Sequence, residues 1–327
     1  MNNYPEVRLR RLRRTPTLRR MFDIPVPGPE KFIWPAFVVA GKKQRQKIDA
    51  MPGQYRCSVD TLLKELRPVV DSGVGGILLF GLVDNDMKDH KGTAAHDEHG
   101  PVHQAVRAIR KEYPHLVVFT DVCLCAYTTH GHCGPLSKDH DVDNDAANEM
   151  LAKVAVSHAA AGAHGVAPSA MMDGQVQAIR AALSSSGFQQ TILMSYSSKF
   201  ASSMYGPFRE AEKSAPQKGD RRGYQASYGD LRQALRESAL DEAEGADILM
   251  VKPSLFYMDI IARLRESTKL PVAVYNVSGE YSMLIATADR GWGNLRDMVR
   301  ESTVALVRSG ADLLVSYWAN RYKELLK

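Results

Sequence analysis

The sequence predicts a (β/α)8 barrel preceded by an N-terminal arm. Eight short runs rich in apolar and β-branched residues recur between residues 32 and 319, and segments with helical periodicity lie between them. The runs are almost continuously apolar, as expected of parallel strands buried on both faces. Residues 1–31 lie outside this pattern. We therefore expect a basic arm over 1–31 and one barrel domain over 32–327.

Each apolar run is expected to form one barrel strand. The runs are 32–40, 75–81, 116–122, 164–169, 191–197, 247–253, 271–278 and 311–319. A doubly wound sheet is less consistent with the sequence, because such a sheet usually carries a glycine-rich phosphate turn after its first strand. The segment that follows the first run here, "GKKQRQ", is not of that kind.

The intervening segments predict helices that end at a glycine before the next strand. The clearest are 58–73, 144–162, 229–245 and 294–310. Ser58 is of a residue type that caps helix N-termini, and glycine is the usual residue just past a helix C-terminus. A helix, a glycine and then a strand is a common order in α/β units.

Composition indicates a globular cytoplasmic protein. The chain has 327 residues, of which 44% are hydrophobic and 24% charged, and no apolar stretch approaches the ~20 residues of a membrane span. The N-terminus shows no apolar signal-peptide core. Four cysteines in a chain of this length do not form a secreted disulfide framework, so we expect a reducing cytoplasm.

The basic charge is concentrated at the N-terminus. Residues 1–20 contain seven arginines and one glutamate, a net +6, whereas the whole chain carries +5, so the rest is at −1. A nucleic-acid enzyme would usually spread basic charge over a binding face, so we expect no nucleic-acid partner. The arm is expected to pack on a partner subunit or to lie in solvent; RNA binding and organelle targeting are the alternatives.

Chemically capable residues cluster at the carboxyl ends of the predicted strands, where barrel enzymes build their active sites. They are Asp121, Cys123, Cys125, Ser169, Ser195 to Lys199, Lys252, Ser278 and Tyr317. Lys199 and Lys252 are the most informative, because a charge at the end of an apolar parallel strand is rare. Either lysine alone would be interpreted as a solvated surface charge.

Two lysines on adjacent strands predict a shared cavity. A second cation and an apolar wall both depress a lysine pKa, which leaves a neutral amine able to attack a carbonyl. Two such lysines imply two Schiff bases. Residues 205–225 form a long polar excursion that could close as a lid, and its Arg209 and Arg221 could bind a carboxylate or be ordinary surface arginines.

Two segments are rich in possible metal ligands. In "DVCLCAYTTHGHCG", Asp121 to Gly134, Cys123, Cys125 and Cys133 match the three-ligand set of a catalytic zinc, which keeps one position open. A redox role and buried structural cysteines are the alternatives. The other segment, 80–104, contains four histidines and is expected to be a solvated loop without fixed histidine geometry, although a metal site is possible there.

Six ordered stretches resemble the motifs of the porphobilinogen synthase (5-aminolaevulinate dehydratase) family, in its zinc-cysteine form. They are "DVCLCAYTTHGHCG", "VAPSAMMDG", "SYSSKFASSMYGPFR", "GDRRGYQ", "MVKPSLFYMDII" and "VSGEYSM". The similarity covers nearly the whole chain. It implies a lyase of tetrapyrrole (haem) biosynthesis that condenses two 5-aminolaevulinate molecules into porphobilinogen with loss of two waters.

The resemblance also implies residue roles. Lys252 would form the Schiff base with the first substrate and Lys199 with the second, while Asp121 and Ser169 would position the first substrate's amine and move protons. Substrate-binding residues would be Arg209, Arg221 and Gln225 for the second substrate, Ser278 and Tyr317 for the first, and also Tyr205, Phe208 and Tyr275. The metal ligands would be Cys123, Cys125 and Cys133 for zinc and Glu237 for an allosteric magnesium. The arm would join subunits of a homo-octamer.

Three positions depart from the family pattern. The family usually has aspartate at the positions of Ala170 and His164, and glutamine or histidine at that of Asn276. A divergent paralogue that acts on a related amino-ketone is therefore one alternative. The others are a class I Schiff-base aldolase and a non-catalytic metal-binding protein.

Overall fold

Eight parallel strands close into a barrel, as the sequence predicts. The computed structural model describes residues 3–212 and 214–327. The strands are β1 Phe32–Val39, β2 Arg45–Lys47, β3 Tyr55–Ser58, β4 Gly76–Gly81, β5 Val117–Val122, β6 Gly165–Pro168, β7 Ile192–Lys199, β8 Ile248–Lys252, β9 Val272–Asn276 and β10 Leu313–Ser316. The barrel order is β1, β4, β5, β6, β7, β8, β9 and β10, and β10 pairs with β1 to close it. The predicted fold class is confirmed.

Two further strands, β2 and β3, form a hairpin that the sequence did not predict. β2 runs antiparallel to β3, and β3 lies parallel to the last three residues of β1, Phe37 to Val39. On the same side of β1, β10 pairs only with Phe32 and Ile33. The hairpin therefore extends the sheet where β10 has ended. All three residues of β2 are exposed, so its sequence carries no buried apolar signal.

Helices surround the barrel. They are α1 Pro16–Phe22, α2 Val59–Asp71, α3 Pro101–Glu112, α4 Asn144–Ala160, α5 Gln175–Ser185, α6 Gly206–Glu212, α7 Leu231–Ala243, α8 Met258–Ser267, α9 Ser278–Asp289, α10 Leu295–Arg308 and α11 Tyr322–Leu325. The four helices predicted most clearly correspond to α2, α4, α7 and α10. Gly245 and Gly310, which follow two of them, have φ of 103° and 116°, values that favour glycine.

Ser58 occupies the N-cap position of α2, but its side chain does not cap the helix. The hydroxyl donates to Oδ1 of Asp60 at 2.6 Å and accepts from the backbone N–H of Gln44 at 2.9 Å. The prediction of a capping serine was therefore right about the position and wrong about the contact. The Ser58 side chain instead binds the backbone of Gln44, in the segment just before the β2–β3 hairpin.

The segment 80–104 is more ordered than the sequence predicts. It contains short 3-10 helices at Asn85–Met87 and Thr93–His96, and its last residues begin α3. His103 is buried, its Nε2 lies 2.9 Å from Oγ of Ser157, and its ring packs edge-on against His158. The expectation of histidines without fixed geometry was wrong for His103, because α3 packs it against α4.

The carboxyl end of the barrel is covered by a long segment that follows β7 and by the helix α9. The segment from Phe200 to Ala226 leaves the end of β7 and returns to it, since the backbone N–H of Ala226 donates to the carbonyl of Lys199 at 3.0 Å. This segment, which we call the lid, contains α6. The helix α6 contacts α9, which begins directly after β9. The strand ends are thereby enclosed.

Residues 3–31 lie along the outside of the barrel. The helix α1 contains no buried residue, and Leu9, Met21 and Phe22 are 77%, 69% and 59% exposed. The connection to the barrel includes hydrogen bonds to the carbonyls of Pro27 and Pro29. The predicted division at residue 31 and the subunit contacts of the arm stay predictions. In the described part of the chain, no helix is both long enough and apolar enough to cross a membrane.

Candidate active site

Lys199 and Lys252 end neighbouring strands and are both buried beside one aromatic ring. They are register partners of β7 and β8, and each is about 5% exposed or less. The Nζ atom of Lys252 lies 4.9 Å and that of Lys199 5.5 Å from the centre of the same Tyr196 ring. The strand pairing therefore brings together the two lysines on which the sequence-based hypothesis depends.

The surroundings of Lys252 favour its neutral form. Burial and, to a smaller extent, the neighbouring cation of Lys199 lower its pKa to about 7. Besides Tyr196, three aromatic rings of the predicted site surround its Nζ: Tyr275 at 4.2 Å, Phe208 at 4.9 Å and Tyr205 at 5.5 Å. A lysine that is partly uncharged near neutral pH is a competent nucleophile toward a ketone.

Lys199 is held by a different contact. Its Nζ donates a short hydrogen bond to the backbone carbonyl of Ser169, directly after β6. Lys199 is therefore anchored toward β6, while Lys252 is surrounded by rings from the lid and from β9. The two amines therefore lie in distinct environments.

Asp121 supplies a carboxyl group that interacts with the charges of both lysines. Burial and, to a smaller extent, the carboxylate of Glu212 raise its pKa to about 7, whereas Lys199, Lys252 and the Ser169 hydroxyl act in the opposite direction. Its Oδ1 atom has no hydrogen-bond partner among the described residues, and neither does the hydroxyl of Tyr196. A carboxyl group with a pKa near neutrality can both take up and release a proton.

The three cysteines of the segment after β5 converge. The sulfur atoms of Cys123, Cys125 and Cys133 lie within 4.8 Å of one another and all three residues are buried. No disulfide joins them, although Cys123 Sγ and Cys125 Sγ are only 3.4 Å apart. Hydrogen bonds from Cys123 and Cys125, together with the charge of Arg221, hold the pKa of Cys133 well below its usual range. The donor set fits a thiophilic cation such as zinc.

The two histidines of this segment support the lid. His132 Nε2 lies 3.0 Å from the carbonyl of Lys218 and its Nδ1 3.2 Å from the hydroxyl of Tyr224. The carbonyl of His130 accepts from the backbone N–H of Gln217 at 3.1 Å. Neither histidine belongs to the metal-capable group found among the described residues.

Glu212 is a buried residue of the site that sequence reasoning missed. It is the last residue of α6 and is 3% exposed. Its Oε2 lies 3.3 Å from Cys125 Sγ and accepts from the Ser214 hydroxyl at 2.5 Å. A glutamate in a polar stretch with several basic residues gives no signal of burial, since only packing of the lid over the cysteines removes it from water.

A second group of polar residues lies beside the cysteines. Arg221 donates through Nη2 to the carbonyls of Gly131 and Ser214 at 2.9 and 2.6 Å, but its buried Nε has no partner in the described part of the chain. Both amide atoms of the buried Gln225 are also unpaired there. Arg209, on α6, is half-buried, and burial and the charge of Arg221 lower its pKa. Such buried unpaired donors can bind a carboxylate.

The predicted site of the first substrate lies around Lys252. Tyr275 and Tyr317 are buried with their hydroxyl oxygens 3.1 Å apart. Ser278, the first residue of α9, accepts through Oγ from the backbone N–H of Phe208 at 2.9 Å. Tyr205 is oriented differently, because its hydroxyl donates to the carbonyls of Phe200 and Lys252. It can therefore offer a ring surface to a ligand.

Glu237 lies apart from these residues, on α7. It is half-buried and lines a pocket with Asp141, Asn144 and Asp173. Burial and the nearby carboxylate of Asp173 raise its pKa. The acidic character of this pocket suits a divalent cation, but the position is distinct from that of the cysteines.

The three departures from the family pattern lie in different parts of the barrel. Ala170 is fully buried directly after Ser169. Asn276 ends β9, where its Nδ2 donates to Glu280 and its Oδ1 accepts from Ser316. His164 precedes β6 at the amino end of the barrel, where it accepts from the backbone N–H of Val118 and contacts Arg110. Its substitution is thus remote from the two lysines.

Comparisons with known proteins agree with this geometry. Residues 6–325 match the model of a family described as delta-aminolevulinic acid dehydratase. The chain is 46% identical to the delta-aminolevulinic acid dehydratase of Archaeoglobus fulgidus over 327 residues, the full length of both chains. It is 49% identical to that of Synechococcus elongatus over 319 residues, 97% of each chain. Over 312 residues, 95% of each chain, it is 47% identical to that of Escherichia coli.

A solved structure extends the comparison to three dimensions. The delta-aminolevulinic acid dehydratase (porphobilinogen synthase) of Toxoplasma gondii, in complex with the reaction product porphobilinogen, superimposes with a TM-score of 0.95 at 38% sequence identity. The match covers 98% of this chain and 93% of that one. Fold, sequence and family model thus agree over nearly the whole length, and the chain belongs to the delta-aminolevulinic acid dehydratase family.

Proposed function

We propose that this chain condenses two molecules of 5-aminolaevulinate (delta-aminolevulinic acid) into porphobilinogen with loss of two waters. The observation that carries this proposal is the pair Lys199 and Lys252, two buried amines at adjacent strand ends beside one aromatic ring. A class I aldolase needs a single Schiff-base lysine, whereas the joining of two keto-acids can use two.

The first substrate would react with Lys252. The neutral Nζ attacks the ketone carbon, and loss of water leaves an imine. The hydroxyl of Tyr317 and the Ser278 hydroxyl at the start of α9 would bind the carboxylate, and the rings of Tyr275, Tyr205 and Phe208 would exclude water from the imine. Exclusion of water matters because an imine hydrolyses readily.

The second substrate would react with Lys199. Arg209, Arg221 and Gln225 would bind its carboxylate, and the unpaired Nε of Arg221 and the amide of Gln225 support this assignment. Asp121 lies on β5 and Ser169 directly after β6, the two strands that precede β7 and β8 in the barrel order. Both residues would orient the first substrate's amino group and move protons at the carbons that are joined.

We assign Cys123, Cys125 and Cys133 as ligands of a zinc ion. The mutual approach of three sulfur atoms supports this choice over magnesium, which prefers oxygen ligands. When bound, zinc would supply a Lewis acid and a template that orients the second substrate.

Three further assignments follow the same family relationship. Glu237 is proposed as a ligand of an allosteric magnesium, supported by the acidic lining of its pocket. The exposed apolar side chains of residues 3–31 support an arm that packs on neighbouring subunits of a homo-octamer. The free cysteines are those of a protein kept in a reducing compartment, which we take to be the cytoplasm.

The test is an assay of the product. The protein is incubated with 5-aminolaevulinate and with zinc or magnesium in turn, and the pyrrole is detected with an acidic aldehyde reagent. We expect pyrrole formation that depends on zinc. No pyrrole with either metal would overturn the proposal, and borohydride trapping at a single lysine would instead favour an aldolase-type reaction.

A further inference from the structure

The environment of Glu212 is unusual for a carboxylate. The residue is almost completely buried, yet its hydrogen bonds are with the Ser214 hydroxyl and the Cys125 thiol. None of the described residues forms an ion pair with it, although two lysines and Arg221 lie in the same part of the barrel. A buried carboxylate is stabilised by a cation or by several donors. Within the described chain Glu212 has two uncharged donors and no ion pair, although its charge acts on Lys252 from a distance.

The carboxylate of Glu212 lies beside one of the three cysteine sulfur atoms. Two ligands of a tetrahedral zinc ion lie roughly 3.6 Å apart when the bonds are about 2.3 Å to sulfur and 2.1 Å to oxygen. The Oε2 of Glu212 lies 3.3 Å from Cys125 Sγ, and the Sγ atoms of Cys123 and Cys125 are 3.4 Å apart. The carboxylate is thus at ligand spacing from Cys125, although in this conformation it lies outside the group formed by the three sulfur atoms.

We propose that Glu212 is a fourth protein ligand of the metal held by Cys123, Cys125 and Cys133. The inference rests on the proposed zinc site. A cation there would neutralise the buried carboxylate, and the carboxylate would fill the position that three thiolates leave open. To approach all three sulfur atoms, the side chain would have to turn away from Ser214, so the oxygen ligand is exchangeable and not a permanent part of the site.

Because of the position of Glu212 in the chain, this ligand would connect two parts of the fold. It ends α6 inside the lid, whereas the cysteines follow β5, so a shared cation would tie the lid to the barrel. The same carboxylate would compete with water or a substrate amine for the fourth position. Glu212 would therefore couple lid closure to occupancy of the metal.

Zinc affinity tests the proposal directly. Glu212→Ala and Glu212→Gln are compared with the wild-type chain and with Glu210→Ala, an exposed glutamate two residues earlier on the same helix. Zinc dissociation constants are measured by competition with a chromophoric chelator. We expect Glu212→Ala to weaken binding about tenfold or more, since even groups that only orient a ligand contribute about 10–100-fold. Glu210→Ala should bind zinc like the wild type.

A spectroscopic readout separates ligation from indirect support. In the cobalt-substituted protein, loss of a carboxylate ligand should shift the visible ligand-field bands of Glu212→Ala, and circular dichroism verifies that each variant is folded. Wild-type zinc affinity together with an unchanged cobalt spectrum in both Glu212 variants would overturn the inference and leave the three-cysteine site intact. If the wild-type chain binds no zinc, the metal assignment fails and the Glu212 inference fails with it.

Discussion

Lys199 and Lys252 are register partners at the ends of the parallel strands β7 and β8, and their amines approach the same ring, that of Tyr196, to 5.5 and 4.9 Å. This arrangement makes each amine part of the other's electrostatic environment. The positive charge of Lys199 lowers the pKa of Lys252, in addition to the larger effect of burial.

Replacing Lys252 should abolish covalent capture of the first substrate. We expect Lys252→Ala to lose borohydride-dependent labelling by 5-aminolaevulinate and to lower turnover by orders of magnitude, because a nucleophile is removed. Peptide mapping of the labelled protein is the measurement. Lys153→Ala, at an exposed position of α4, is the control and should be labelled normally. Full labelling of Lys252→Ala would contradict the assignment.

The reaction of Lys252 should depend on pH near neutrality. Only the neutral amine attacks, and the pKa of Lys252 is about 7, so the rate of adduct formation should rise through pH 7 and level off above it. Cyanoborohydride trapping across a pH series measures this rate.

Two variants of the neighbouring lysine test the cause. Lys199→Gln removes the nearby charge and should move the inflection to higher pH, whereas Lys199→Arg keeps the charge and should leave it in place. An inflection unmoved by Lys199→Gln would show that the two side chains are not coupled.

Loss of one thiolate should weaken metal binding. In Cys133→Ser we expect a lower zinc content after dialysis and a matching loss of activity, because a hydroxyl is a poorer zinc ligand than a thiolate. Atomic absorption measures the zinc. The matched control is Cys57→Ala, a buried cysteine of β3 outside the cluster. Equal loss of zinc in both variants would argue against a three-cysteine site.

Arg209 should contribute to substrate binding rather than to folding. Its side chain makes no hydrogen bond with other described residues, unlike that of Arg221, so its loss should leave the structure intact. A charged hydrogen bond contributes about 1.5–3 kcal/mol, so Arg209→Ala should raise the half-saturating 5-aminolaevulinate concentration about 10- to 100-fold. Initial-rate kinetics measure this, with the exposed Arg222→Ala as control. An unchanged half-saturating concentration would remove Arg209 from the carboxylate site.

The arm offers a test that distinguishes subunit packing from nucleic-acid binding. Replacing Leu9, Met21 and Phe22 by serine should lower the assembly mass measured by light scattering, because these exposed side chains would lose an apolar contact. Replacing Arg10, Arg11 and Arg13 by glutamine should affect the mass less. If the arginine variant alone loses RNA retention, the arm serves nucleic acid instead.

The hydrophobic periodicity and the order of the strands and helices along the chain predicted most of the barrel. Strands buried on both faces must be apolar throughout, so all eight barrel strands were recognisable from the sequence. The candidate site residues were then predicted from their positions at the carboxyl ends of those strands. The β2–β3 hairpin was missed because Arg45–Lys47 is exposed and polar and shows no periodicity. His103 was misjudged because its local sequence is polar, whereas packing of α3 on α4 buries it.

The sequence by itself determined the barrel, the two lysines at its rim and the three cysteines after β5, since these depend on local patterns and on strand order. Only the tertiary structure decided which polar side chains are buried away from water. Closure of the lid buries Glu212 beside Cys125, and pairing of β7 with β8 places one amine in the field of the other. Desolvation and charge proximity are properties of residues distant in the chain, so no local pattern encodes them.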